Sequence, residues 1–165
     1  MPAQSSESNV ELDCEDFLID MNKLKTSIKP ASEKASGDTG MMILYDAIHK
    51  TPQVPVWDHL LRGSGIVYVD NNFYDFSKWG NVDAESIAAR SRSPGASLAP
   101  DETVASITFN KPYAALWHER EPKHGFTWRE AGSKYLESKI TIYVREYVAN
   151  AAKVFVDELR RRFGR

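Results

Sequence analysis

Cysteine is almost missing from this chain, and so are several other features that would point directly to a chemistry. Cys14 is the single cysteine. That excludes an intrachain disulfide and a zinc site built on cysteine thiolates, and it fits a reducing compartment. No apolar run approaches the ~20 residues that a bilayer-spanning helix needs. The opening MPAQSSESNVELDCED is polar and acidic, the opposite of a signal peptide. These absences predict a soluble protein made in a cytoplasm, with no membrane partner.

Catalytic signatures are missing too. There is no glycine-rich phosphate loop of the dinucleotide or Walker type, and no Gly-x-Ser-x-Gly elbow, since Ser64 stands in RGSG. Acidic neighbours raise the thiol pKa of Cys14, the wrong direction for a nucleophile. Carboxylates are plentiful but scattered, so no glycosidase-like pair stands out. An excess of positive charge is also lacking: 21 Lys and Arg against 23 Asp and Glu give a formal net charge of −2. That argues against a dedicated nucleic-acid binder. The expectation is a protein that is not an enzyme and carries no cofactor.

What is present is ordinary globular composition, 42% hydrophobic and 27% charged over 165 residues, enough for one domain with one core. The charges are segregated. Glu7, Glu11, Asp13, Glu15, Asp16 and Asp20 open the chain without a Lys or Arg among them, and Arg160, Arg161, Arg162 and Arg165 close it. Two solvated helix ends account for this, and so does pairing within a molecule or between subunits.

Residues 1–10 read as a flexible acidic lead-in and 11–165 as a single α+β domain. From about Leu12, the positions Phe17, Leu18, Met21, Leu24 and Ile28 recur at helical spacing, and Pro30 is expected to end that helix. Asp38 or Thr39 would cap a second helix with Met41, Leu44, Tyr45 and Ile48 on its apolar face. Ile66–Val69 and the following NNFYDFSKW read as two strands, and TVASITFN as a third. Between them, an exposed excursion at about 76–102, rich in small and polar residues, suits a mobile or binding loop, with Arg90 and Arg92 as candidate subunit contacts. Leu136, Ile140, Val144, Tyr147, Ala151, Phe155 and Leu159 form the stripe of a long C-terminal helix, whose arginines suit the negative end of its dipole. The class is α+β, a small antiparallel sheet packed against an N-terminal helical segment and a long C-terminal helix.

The stretch NKPYAALWHEREPKHG collects His118, Glu119, Glu121 and His124 within seven positions. A zinc-protease helix needs histidines four apart with Glu after the first, and Pro122 would break a helix running on to His124. A looser set of His118, Glu119 and His124, serving a small metal-dependent hydrolase, lacks a third conventional ligand at a recognisable spacing. Structural or exposed histidines are the plainer account. A single-strand nucleic-acid reading would have Trp57, Tyr68, Tyr74, Trp79, Trp117 and Trp128 stacking bases and Arg62, Arg90 and Arg92 on phosphates. Core and interface aromatics explain the same residues.

As an ordered set, LLRGSG, then PYAALWHE, then GSKYLESKI ahead of a long final helix resembles the small neck or tail-completion proteins of long-tailed bacteriophages, some relatives being minor capsid or head-tail connector proteins. The matching positions are Leu61, Arg62 and Ser64, then Tyr113, Ala114, His118 and Glu119, then Lys134, Tyr135, Leu136 and Glu137. The resemblance runs from roughly residue 14 to 160. It implies a structural virion protein without catalytic residues, assembled in the host cytoplasm into a ring, commonly six-fold. That ring would sit at the head-tail junction, between the head connector or stopper and the tail terminator or tail tube, with DNA passing through unrecognised. A tail terminator or minor capsid protein is the nearest alternative. Arg160, Arg161 and Arg162 join Arg90 and Arg92 as possible subunit contacts. On this reading YAALWHE is a strand leading into a packed segment, with Tyr113 and Trp117 buried. His118 and Glu119 then fix the loop before the final helix, Glu119 pairing with a backbone amide or an Arg.

Overall fold

The structure, a computed structural model, describes residues 15–55, 60–80, 95, 97–100, 102–119 and 132–163. Its elements are α1 (Glu15–His49), α2 (Leu60–Gly63), β1 (Gly65–Val69), β2 (Asn72–Phe76), β3 (Ala105–Phe109), α3 (Ala114–Glu119) and α4 (Tyr135–Phe163). The architecture is α+β. A three-stranded antiparallel sheet, ordered β2–β1–β3, packs on α1, and α4 packs along α1. The acidic lead-in and residues 81–94 of the excursion lie outside the described residues.

The first expectation is corrected in α1. Pro30 does not end it, and no second helix starts at Asp38 or Thr39; one helix of 35 residues runs through both. Locally this is unfavourable, since an interior proline costs about 3 kcal/mol and each interior glycine about 1 relative to alanine. Tertiary packing reverses the balance. Gly37 and Gly40 form a flat patch where the sheet meets the helix backbone. A Cβ on Gly37 would run into the Tyr74 ring, and one on Gly40 would stand 2.8 Å from Val67 Cγ1. Asp38 is an anchor here: its Oδ1 accepts from the Tyr74 hydroxyl at 2.6 Å and from Lys34 Nζ at 2.6 Å.

All five residues of β1 are buried, as befits a middle strand. Val67 faces α1 and joins a core with Leu44, Ala47, Ile48, Val54, Leu61, Ala114 and Tyr135; Ile66 and Tyr68 pack on the other face with Phe76. Asp70 and Asn71 both have positive φ (50° and 65°), so β1 and β2 are joined by the tight two-residue turn that their twist requires. The Asp70 carboxylate ties that turn down, accepting from the Val104 amide (2.8 Å) and from Lys29 of α1.

Three further expectations change. YAALWHE is helical from Ala114, not a strand. Asn110, Lys111 and Pro112 turn the chain out of β3, the Ala114 amide donates to the Lys111 carbonyl at 3.0 Å, and Ala-Ala-Leu continues with high helix propensity. Tyr113 and Trp117 end half-buried against the core rather than enclosed in it. In α4, Ile140 and Val144 of the predicted inward stripe are exposed, while Tyr135 and Lys139 are buried. Tyr135 sets this phase: its ring lies edge-on to Phe109 and His118, and its hydroxyl donates to the Ala114 carbonyl at 3.3 Å. Non-helical Tyr143 (φ −110°, ψ 15°) then shifts the phase so that Tyr147 turns inward.

Replacing Gly40 by alanine raises helix propensity by about 1 kcal/mol, yet it should lower stability by about 1–3 kcal/mol, because the new methyl meets Val67 on the buried middle strand. Urea unfolding measures this. An unchanged or stabilised variant would remove close approach as the reason for glycine.

Candidate functional site

The residues singled out in the sequence fall into two neighbouring fasteners and one helix end. In the first fastener, Leu61 fills the core and Ser64 turns the chain from α2 into β1, its hydroxyl and amide both donating to the Leu61 carbonyl (2.8 and 3.0 Å). Arg62 is 7% exposed. Its Nε donates to the Val54 carbonyl (2.8 Å) and its Nη2 to Gln53 Oε1 (2.7 Å), and its guanidinium lies over the Trp79 ring at 5.1 Å. The Ser77 hydroxyl donates to the Arg62 carbonyl. One buried arginine therefore joins the segment after α1, α2 and the end of the β2 hairpin.

The second fastener closes the α3–α4 connection. His118 Nδ1 donates to Glu119 Oε1 (3.0 Å), and Lys134 Nζ donates to Glu119 Oε2 (2.6 Å) and lies 3.4 Å from Glu137. The Lys134 amide donates to the His118 carbonyl at 2.7 Å, with Lys134 itself at φ 55°. Leu136 packs half-buried on the core. Glu119 is exposed, and its partner is lysine rather than the expected backbone amide or arginine, because the helical turn aims it across at Lys134 instead of inward. Lys134, and after it His118, hold the Glu119 pKa below the ordinary carboxylate value; Lys134 is raised in return, chiefly by Glu119. His118 Nε2 is buried and has no hydrogen-bond partner among the described residues.

The proposed metal set is incomplete: His124 lies outside the described residues, as do Arg90, Arg92, Trp57 and Trp128. Among the described residues no three of His, Cys, Asp and Glu come close enough to hold a metal ion. With Lys134 on one Glu119 oxygen and His118 on the other, an ammonium already occupies the side from which a cation would approach. Tyr68 and Arg62 are buried, hence unable to stack a base or meet a phosphate.

Sequence reasoning missed a buried polar joint between the helices. Asp46 accepts from the Tyr147 hydroxyl (2.9 Å) and from Lys50 Nζ (2.8 Å). Fully buried Lys139 donates to the Pro52 carbonyl at 2.8 Å. Burial lowers the Lys139 pKa and raises that of Tyr147, with Asp46 adding to the rise. Asp46 and Lys50 at i,i+4 were the available signal, but nothing in the pattern marks Lys139 as inward.

At the far end of α4, Arg161 and Arg162 both converge on Glu158 (2.6 and 2.8 Å), and Arg160 lies 3.8 Å from Asp157. The arginines remain largely at the surface, and the single Glu158 carboxylate offsets only one of the two charges of Arg161 and Arg162. Among the described residues no helix is long and apolar enough to cross a membrane. Compared with family models, curated proteins and solved structures, the chain matches none.

Arg62→Lys keeps the charge but loses the fork and the stacking on Trp79. It should destabilise the fold by about 1.5–3 kcal/mol, the range for hydrogen bonds made by a charged group, as read by urea unfolding. Wild-type stability would show that the fork is dispensable. Glu158 gives a pH prediction. Arg161, then Arg162, lower its pKa from 4.5 to about 2, so its contribution is present above pH 4.5 and is lost as pH falls towards 2. Glu158→Gln should flatten the acid-unfolding curve in that window, and superposable curves would show that the arginines do not hold it.

Proposed function

We propose that this chain is a structural virion protein of a tailed phage, a neck or tail-completion subunit that assembles as a ring joining the head connector or stopper to the tail. The observation that carries the reading is the placement of the resembling residues. Arg62 and Ser64 secure the start of β1, while His118, Glu119 and Lys134 secure the start of α4. Among the described residues these polar side chains are spent on holding elements together rather than aimed into a cleft, as a reaction would require. The uncovered apolar residues of both long helices, among them Leu18, Met21, Ile140, Val144 and Val148, further support a subunit completed by its neighbours.

In this reading the partners are further copies, commonly six, with the connector on one side and the tail terminator or tail tube on the other. DNA passes through a channel that a nearly neutral subunit does not grip. The crowding of Lys134 against Glu119 disfavours a hydrolase built on His118, Glu119 and His124.

Cryo-EM or immunogold localisation on intact particles tests the proposal. Density or label at the head-tail junction is expected, and the ring symmetry would come with it. Absence from every particle overturns it.

A further inference from the structure

Two apolar stripes have nothing to cover them among the described residues, and the two cannot meet within one chain. Opposite Pro30, Glu33 and Lys34 of α1 lie Glu158, Arg161 and Arg162, and α4 stops at Phe163. The N-terminal turns of α1 therefore run on past the end of α4 as an arm, with residues 18–23 all exposed. Leu18, Met21, Lys25 and Ile28 follow one another along that arm in steps of three, four and three, the spacing of a helix-packing seam. On α4, Glu137, Ile140, Val144 and Val148 step by three, four and four. The six apolar members are each between 45% and 62% exposed, and both charged members are exposed. A short helical projection is marginal by itself in water, so an uncovered seam on an arm requires a receiving surface.

We infer that the α1 arm of one copy docks antiparallel on the α4 stripe of a second copy. This deepens the self-assembling reading above and rests on it for one point, that copies meet. Each stripe contains one charge, and the two charges are opposite. Running antiparallel, Leu18 faces Val148, Met21 faces Val144, Lys25 faces Ile140 and Ile28 faces Glu137. The lysine stem then covers Ile140 while its ammonium reaches Glu137 in the adjacent layer. A parallel arrangement matches the same steps but leaves Lys25 and Glu137 two layers apart, about 10 Å along the helix, rather than in adjacent layers. The opposite charges therefore select the antiparallel pairing. Tyr143 lies beneath Lys50, so Val144 of the same chain is roughly 40 Å from Met21 along α1, and only another copy can supply it. Arm and receiving stripe are different surfaces, so the contact is heterologous, the kind that closes rings.

The test uses full-length protein. In a Cys14→Ser background, Met21→Cys and Val144→Cys are prepared separately, one with a mass tag, then mixed and oxidised. The mixed disulfide is expected several-fold above that of Met21→Cys with Asn72→Cys, an exposed position on the sheet. Lys25→Glu or Glu137→Lys should each lower its yield roughly five- to tenfold, and the two together should restore most of it. The side chains at 21, 25, 72, 137 and 144 are exposed, and folding of every variant is checked by circular dichroism. A mixed disulfide no more abundant than the control, or a double reversal that restores nothing, overturns the contact. Junction localisation without this crosslink would leave the neck reading standing and remove only the arm contact; the crosslink in a protein absent from particles would do the reverse.

Discussion

The backbone of α1 at Gly37 and Gly40 meets the side chains of Tyr74 and Val67, and that contact sets the distance at which helix and sheet pack. Bringing Val67 within reach of Leu44 puts the middle strand into the same core as Ile48, Leu61 and Tyr135. Asp38 adds direction to the apolar contact by holding the Tyr74 hydroxyl over the Gly37 gap. Any β-carbon at these positions separates the layers, so a sequence that is poor for a helix in isolation suits this one. The burial gained by close packing offsets the propensity lost in a five-residue stretch carrying two glycines.

The same reasoning explains which parts of the fold were legible. β1, β2 and β3 announce themselves by β-branched and aromatic runs between turn residues, and the long C-terminal helix by its length and arginine-rich end. Pro30 and SGDTG are strong local breakers, and only the long-range contact with Tyr74 and Val67 outweighs them. YAALWHE is short and apolar, a pattern shared by strand and helix; the Lys111–Ala114 turn decides for helix. In α4 the stripe Ile140–Val144 satisfied the periodicity, but periodicity cannot see that Tyr135 is clasped by Phe109, His118 and the Ala114 carbonyl. That clasp rotates the first turns and carries Lys139 inward, where it caps the Pro52 carbonyl.

The cluster around His118 was legible as residues but not as geometry. Four His and Glu side chains in seven positions suggest a ligand set, yet the two that are described act on the chain itself. His118 presents its carbonyl to the Lys134 amide and its ring edge to Tyr135, and Glu119 spans to Lys134. The exposed ion pair is worth little by itself. Its value is positional, because a charge-assisted bond beside a backbone bond fixes the angle at which α4 leaves the α3 side of the core. A small error there would be magnified along a helix of 29 residues.

That lever matters because α4 does two jobs on two faces. Its inward face is tied down by hydrogen bonds that tolerate little sliding: Tyr147 to Asp46 of α1, Lys139 to the Pro52 carbonyl just beyond α1, and Tyr135 to the Ala114 carbonyl, each of which occupies one place. Polar ties of this kind fix register rather than add much stability. An apolar joint would have been slippery, and the outward residues Ile140, Val144 and Val148 would then wander relative to the rest of the molecule. Placing specific hydrogen bonds inside and unsatisfied apolar groups outside inverts the usual helix pattern over these turns. It makes physical sense when the outer face must present a fixed shape to something else.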